Sequence, residues 1–199
     1  MSLAGLKRLT RERDLDEHCE LCQAAIPEVH RHLFDPSRRD LLCACDSCGL
    51  LFSAKADTKY RLVPREIADL DQFRMSDELW NELMVPVNMA FFHYSTPMGK
   101  IVAYYPSPAG PTESLLPLDS WAQLVQDNPV LATLEPDVQA LLVNRTGSDY
   151  RYYIAPIDEC YKLVGLIRSQ WRGLSGGTEV WRAITTFFES LKARSSVRA

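Results

Sequence analysis

What the chain lacks narrows its function before any motif is read. No apolar run approaches the roughly 20 residues of a membrane-spanning helix. There is no basic surplus: 22 Lys and Arg stand against 26 Asp and Glu, a formal net charge of −4. A general nucleic-acid binder shows a basic excess, so nucleic acid is not an expected partner, although Lys7, Arg8, Arg11 and Arg13 form a local basic cluster. The stretch MSLAGLKRLTRERD turns charged early and lacks an apolar h-region. No secretory signal is therefore expected; the expected location is the cytoplasm, without membrane contact. Internal repeats and low-complexity tracts are absent. Histidine is scarce, and of the four only His93 lies outside the N-terminal region, which leaves little material for acid–base catalysis elsewhere.

What is present is an ordinary globular composition with one unusual stretch. With 199 residues, 46% apolar and 24% charged, the chain suits one domain carrying a small appended module. The expected division is a metal module over residues 1–58 and an α+β domain over residues 59–199. Of six cysteines, all but Cys160 lie between Cys19 and Cys48. They include Cys19-Glu-Leu-Cys22 and Cys45-Asp-Ser-Cys48, two C-x2-C pairs on either side of a short connection. Each pair curls the backbone so that two thiolates face one ion, and two pairs complete a tetrahedral shell. In a reducing compartment this spacing favours a metal over disulfides.

The leading ligand set is Cys19, Cys22, Cys45 and Cys48, with Gly49 where a knuckle often needs positive φ. Cys43, two residues before Cys45 on an expected strand, shares its face and is an alternative ligand or a neighbour of the shell. The same holds for His30 and His32 on the facing strand. Zinc is the expected metal; iron in a rubredoxin-like site uses the same tetrahedral thiolates. A closed shell of four thiolates has no open position for substrate, which points to a structural or electron-transferring role.

Turn chemistry at Asp35-Pro36-Ser37 makes the intervening segment a hairpin, as in zinc ribbons and treble clefs. Leu50 to Phe52 and Tyr60 to Val63 read as further strands. Ser76 is placed to cap a helix carrying Leu79, Trp80 and Leu83. Residues 88–94 and 100–105 read as a hairpin, residues 105–113 as a proline-rich loop that cannot be a central strand, and residues 138–144 and 150–154 as a second hairpin. A helix capped by Asp119 or Ser120 carries Trp121 and Leu124. Two helices close the sequence. The first, capped by Asp158, shows a stripe of Cys160, Leu163, Val164, Ile167 and Trp171; the second shows Val180, Trp181, Ile184, Phe187, Phe188 and Leu191. The four tryptophans and Cys160 are expected in the core.

Gly173-Leu-Ser175-Gly-Gly177 fits the G-x-S-x-G nucleophile pattern, but that elbow must follow a strand, and here it follows a helix. A helix–helix turn is the better reading. The loop bearing Tyr105, Pro106, Pro108 and Glu113 is a candidate docking surface for a protein partner, since proline-rich segments are pre-ordered. An enzyme pocket near residues 105–114 is an alternative.

The stretches CELC…HRHLF…CACDSCGLLF, YRLVPR, FFHYS…VAYYPSPAGPTESLLPL and PIDECYKLVGLIRSQWRGLSGG resemble an uncharacterised domain family of actinobacteria encoded in nickel–iron hydrogenase gene clusters. The resemblance spans about residues 19–191. It implies a metal-binding cytoplasmic accessory protein for hydrogenase maturation, assembly or electron delivery, with a hydrogenase subunit or maturation factor as partner. It implies Cys19, Cys22, Cys45 and Cys48 as the metal site, with His30, His32 and Cys43 beside it, and no catalytic residues. The expected fold is α+β: a zinc-ribbon-like module packed on a mainly antiparallel sheet with helices on one face.

Overall fold

A computed structural model describes residues 17–53, 58–115 and 117–198. The arm expected over residues 1–17 and the basic cluster Lys7, Arg8, Arg11 and Arg13 lie outside them, apart from residue 17. In chain order the elements are β1 (Arg31–Asp35), β2 (Asp40–Ala44), α1 (Asp46–Ser53), β3 (Arg61–Leu62), β4 (Ala68–Asp69) and α2 (Asp77–Glu82). There follow β5 (Met89–Ser95), β6 (Lys100–Ser107), β7 (Gly110–Ser114), α3 (Leu118–Asp127), a 3-10 turn (Pro129–Thr133), β8 (Gln139–Asn144) and β9 (Arg151–Pro156). Last come α4 (Ile157–Gln170), α5 (Gly177–Arg194) and β10 (Ser196–Val197).

The body is a seven-stranded sheet in the order β10-β4-β9-β8-β5-β6-β7. Every pairing is antiparallel except β10 with β4. Its central strands bury alternate residues on opposite faces, as a period of two requires. Phe91, Leu142 and Tyr153 face α4 and α5, joining Cys160, Leu163, Ile167, Ile184 and Phe188 in one core. Phe92, Leu141 and Ile154 face the other way and pack with Trp80, Leu83, Trp121, Leu124 and Leu131.

The last two helices cover one face of the sheet as expected, and α2, α3 and the 3-10 turn cover the other as well. The reason is legible in Met89-Ala-Phe-Phe92 and Ala140-Leu-Leu-Val143. These are unbroken apolar runs rather than alternating ones, and such strands require cover on both sides. Among the described residues, no helix is long and apolar enough to cross a membrane.

The proline-rich segment becomes structure at the sheet edge. β5 pairs with β6 only as far as Tyr104; beyond it β6 pairs with the edge strand β7, with Pro106 opposite Pro111. Proline is tolerated where no ladder bond is lost. Two caps also differ from expectation. Ser76 does cap α2, accepting the Leu79 N–H at 3.1 Å. However, α3 and α4 start from Pro117 and Pro156, which have no side-chain cap. Asp158 lies inside the first turn of α4, free to reach elsewhere.

The three-stranded sheet β2-β1-β3 forms the N-terminal module, with β1 and β2 in register from Arg31 opposite Ala44 to Asp35 opposite Asp40. Its turn is set by the buried Asp35, whose Oδ1 accepts from the Ser37 N–H (3.1 Å), the Ser37 hydroxyl (2.6 Å) and the Arg38 N–H (3.3 Å). Lys59 Nζ stands 2.9 Å from its other oxygen. Leu50 to Phe52, expected as strand, are helical in α1, with Leu50 and Leu51 exposed.

The module is tied to the body by side chains. Phe34 enters the larger core. Arg39 lies over the Tyr104 ring at 5.7 Å and 3.7 Å from Glu113, and Arg61 lies 3.9 Å from the buried Asp137.

Asp35 makes the turn sensitive to acid. Burial pushes its carboxyl up, but Ser37, Lys59 and the Arg38 N–H outweigh burial and hold it below its usual value. A depressed carboxyl stabilises the fold above its unfolded value of about 3.9, and that stability is lost as pH falls through the folded value. Asp35→Asn is therefore expected to lower stability at neutral pH and to flatten the pH dependence of unfolding below about 4. Chemical denaturation of both proteins across that range checks it; parallel curves would refute the assignment.

Candidate metal centre

The site is built from a knuckle, a hairpin and a helix start. Cys19-Glu-Leu-Cys22 closes on itself through Gln23 N–H to Cys19 O (2.8 Å) and Cys19 N–H to Ala24 O (2.8 Å). Gln23 adopts positive φ, 62°. After β1 and β2 the chain enters α1, with Cys45 immediately before it and Cys48 in its first turn. Cys45 acts as a sulfur cap: its Sγ accepts the Cys48 N–H at 3.4 Å, the geometry in which Ser or Asp caps a helix. The helix dipole favours negative charge at that end. This is the knuckle–hairpin–helix order of a treble clef.

Gly49 does not supply the positive φ expected of it; it continues the helix. A Cβ there would lie 2.8 Å from Arg31 Cδ, so the arginine side chain would have to shift to admit one. Positive φ belongs to the first knuckle, at Gln23.

The four sulfurs of Cys19, Cys22, Cys45 and Cys48 all lie within 4.8 Å of one another. Cys22 and Cys45 Sγ are 3.7 Å apart. Four thiolates about 2.3 Å from one zinc ion stand roughly 3.8 Å from each other, so the spacing fits a tetrahedral ion and is far too long for a disulfide. The electrostatics agree. Burial pushes the Cys19 thiol up, but the N–H groups of Cys45, Cys22 and Leu21 outweigh it and bring it down to about 6. Cys48 is pushed up to about 12 by burial and by the three sulfurs around it. Backbone amides hold one thiolate here, and a cation is what allows the others to ionise beside it. The group can hold a metal ion, and its donors are those of zinc or iron.

Among the described residues, the module's own apolar cluster buries Cys19, Ile26, Leu33, Ala44 and Cys48. That core is too small to fold alone without a metal.

His30, His32 and Cys43 form a second cluster beside the first, their ligand atoms within 4.8 Å of one another. Glu20, inside the knuckle, ties the two clusters together: its N–H donates to Cys43 O (2.9 Å), and its carboxylate accepts the Cys43 N–H (2.6 Å). Asp158 accepts from His32 Nδ1 at 2.7 Å. Asp158 and Glu20 were invisible as site residues in the sequence. Asp158 lies 126 positions from its partner, and no local pattern marks such a contact.

The remaining candidates separate. Tyr105, Pro106 and Pro108 line a groove of about 440 Å³ with Val87, Met89, Ile167, Trp171 and Trp181, whereas Glu113 points to Arg39. Trp80 and Trp121 are buried as expected; Trp181 is not, at 43% exposed, and Trp171 is half-buried. Their indole N–H groups donate to Gly173 O (2.9 Å) and Ser175 O (3.0 Å), so both rings brace the turn between α4 and α5. Gly176 there has φ 87°, and a Cβ would meet Val180 at 2.8 Å and Trp171 at 3.0 Å. The G-x-S-x-G pattern is thus a helix–helix turn, as expected. His93 stacks on Tyr104 at 5.9 Å, and its burial disfavours the charged ring. Cys160 is fully buried in the core, which raises its thiol well above the ordinary value.

If the four-sulfur cluster holds the metal, Cys45→Ser removes it and loosens the module, while Cys160→Ser leaves metal content unchanged. Elemental analysis with limited proteolysis reads both. Retention of metal and of protease resistance in Cys45→Ser would contradict the assignment.

No curated protein and no solved structure matches the chain. Residues 18–195 match the family model of DUF5947, a family of unknown function, and the chain belongs to that family.

Proposed function

We propose that the protein is a non-enzymatic, zinc-stapled accessory protein, in which the ion at Cys19, Cys22, Cys45 and Cys48 holds the N-terminal hairpin and α1 against the body while the surface engages a protein partner. The observation that carries this reading is the convergence of four sulfurs into a shell with no vacant position, which suits a structural ion rather than a hydrolytic one. The partner reading draws on the resemblance noted in the sequence: a hydrogenase subunit or maturation factor, met in the cytoplasm.

The groove at Tyr105, Pro106, Pro108, Trp171 and Trp181 supports a docking role. Aromatic side chains dominate binding at interface centres, and apolar surface makes up most of this groove. An enzyme using it finds little to work with. Among its lining residues the only titratable side chain is the phenol of Tyr105, and the hydroxyls of Ser107 and Thr146 are already bonded to Gly110 O and Asn144 Oδ1.

A second reading places iron in the same four thiolates, making a rubredoxin-like electron carrier. The exposure of Cys22 favours it, since electron transfer needs a ligand near the surface.

Natively purified protein separates the two. A colourless chain with zinc supports the staple; a red chain bleached by dithionite supports the carrier and would overturn it. Trp181→Ala is expected to weaken copurification with hydrogenase components several-fold without changing metal content. If deleting the gene leaves hydrogenase maturation and activity intact, the accessory role is wrong.

A further inference from the structure

We propose that His30, His32 and Cys43 form a second metal site, a three-ligand centre for a zinc-class divalent ion with its fourth position open, distinct from the four-thiolate site.

The strand geometry assembles the donors. His30 immediately precedes β1 and His32 is its second residue, a spacing of two that puts them on one face of the extended chain. Cys43 is the register partner of His32 across the hairpin. One ligand atom from each lies within 4.8 Å of the others, and the two rings stand 4.8 Å apart, crossed at 76° rather than stacked. Two imidazoles and a thiolate are a donor set that zinc accepts, and sites with three protein ligands keep a position for water or substrate.

Both histidines are held as ligands are held. His30 Nδ1 lies 2.9 Å from Pro27 O and 3.2 Å from the Glu17 carboxylate. His32 Nδ1 lies 2.7 Å from Asp158 Oδ2. With acceptors facing each Nδ1, the proton belongs there, and each Nε2 keeps its lone pair. This is the carboxylate–histidine arrangement found behind metal-bound imidazoles.

The decisive detail is His30 Nε2. The side chain is only 7% exposed, yet among the described residues this buried nitrogen has no hydrogen-bond partner. Buried polar groups are normally paired, and a cation held with His32 and Cys43 supplies the missing partner.

Cys43 is positioned independently of its sulfur, through the two Glu20 contacts to its backbone. Beside His32 lies a cavity of about 430 Å³ lined by Leu41, Asp158, Glu159, Tyr161 and Lys162. It opens on the Asp158 side of His32, so the cluster lies next to solvent-accessible space. The four-thiolate shell is closed, so chemistry that needs an open coordination position falls to this cluster. The inference does not rest on the proposed accessory role.

The test uses the full chain saturated with zinc and freed of excess. A second zinc equivalent per chain is expected. X-ray absorption at the zinc edge of the unmutated protein should show histidine nitrogen as well as sulfur. His30→Ala with His32→Ala is expected to lose the second equivalent and keep the first. Asp158→Asn should weaken only the second, by about 10- to 100-fold. Saturation at one equivalent or none, sulfur scattering alone, or a double variant that keeps both equivalents would overturn the proposal. If the double variant does not fold, the absorption spectrum of the unmutated protein decides. Failure of the four-thiolate site would show separately, as unchanged metal content in Cys45→Ser.

Discussion

Four sulfurs within 4.8 Å of one another are the constraint on which the N-terminal module depends. Amide donors make Cys19 a ready thiolate, but the same crowding drives Cys48 up. Without a cation the four cannot all ionise; with one, repulsion becomes coordination. The knuckle at Gln23, the hairpin and the start of α1 are three separate pieces of backbone. Besides this cluster, the Glu20–Cys43 hydrogen bonds and the Arg31–Asp46 ion pair join them, around an apolar core that is small among the described residues.

From that point the rest of the molecule acts as a platform. A sheet covered on both faces gives the body a core of its own, and the module is docked on it by Phe34, Arg39, Arg61 and the His32–Asp158 contact. That last contact joins the module to the first turn of α4 at the place where the second cluster of ligands lies. The candidate ligands thus belong to the module, and the body contributes the carboxylate that holds one of them. The aromatic groove is built separately, from the flap beyond Tyr104 and the turn between α4 and α5.

Much of this was legible in the sequence. The C-x2-C pairs, the helical stripes of α4 and α5 and the hairpins around residues 96–99 and 145–150 follow from spacing and turn chemistry. What was not legible depended on tertiary context. Leu50 to Phe52 have strand-like composition, but the helix that starts just after Cys45 carries them on. Asp158 has the type and position of a cap, yet a histidine far away in sequence takes its carboxylate. Trp181 falls on an apolar stripe and still stays exposed, because its neighbour across the turn is a groove rather than a core. The two-sided cover was written in the unbroken apolar runs of β5 and β8, where a period of two alone suggests one buried face.

The most direct measurement of the central claim is the alkylation of each cysteine by a maleimide, read by peptide mass spectrometry with and without a strong chelator. Cys22 makes it decisive, since it is exposed and as a free thiol would be open to the reagent whether or not a chelator is present. A bound ion is expected to protect Cys19, Cys22, Cys45 and Cys48 as a set in native protein and to release them together when the chelator is added. Equal, rapid alkylation of Cys22 under both conditions would contradict the account.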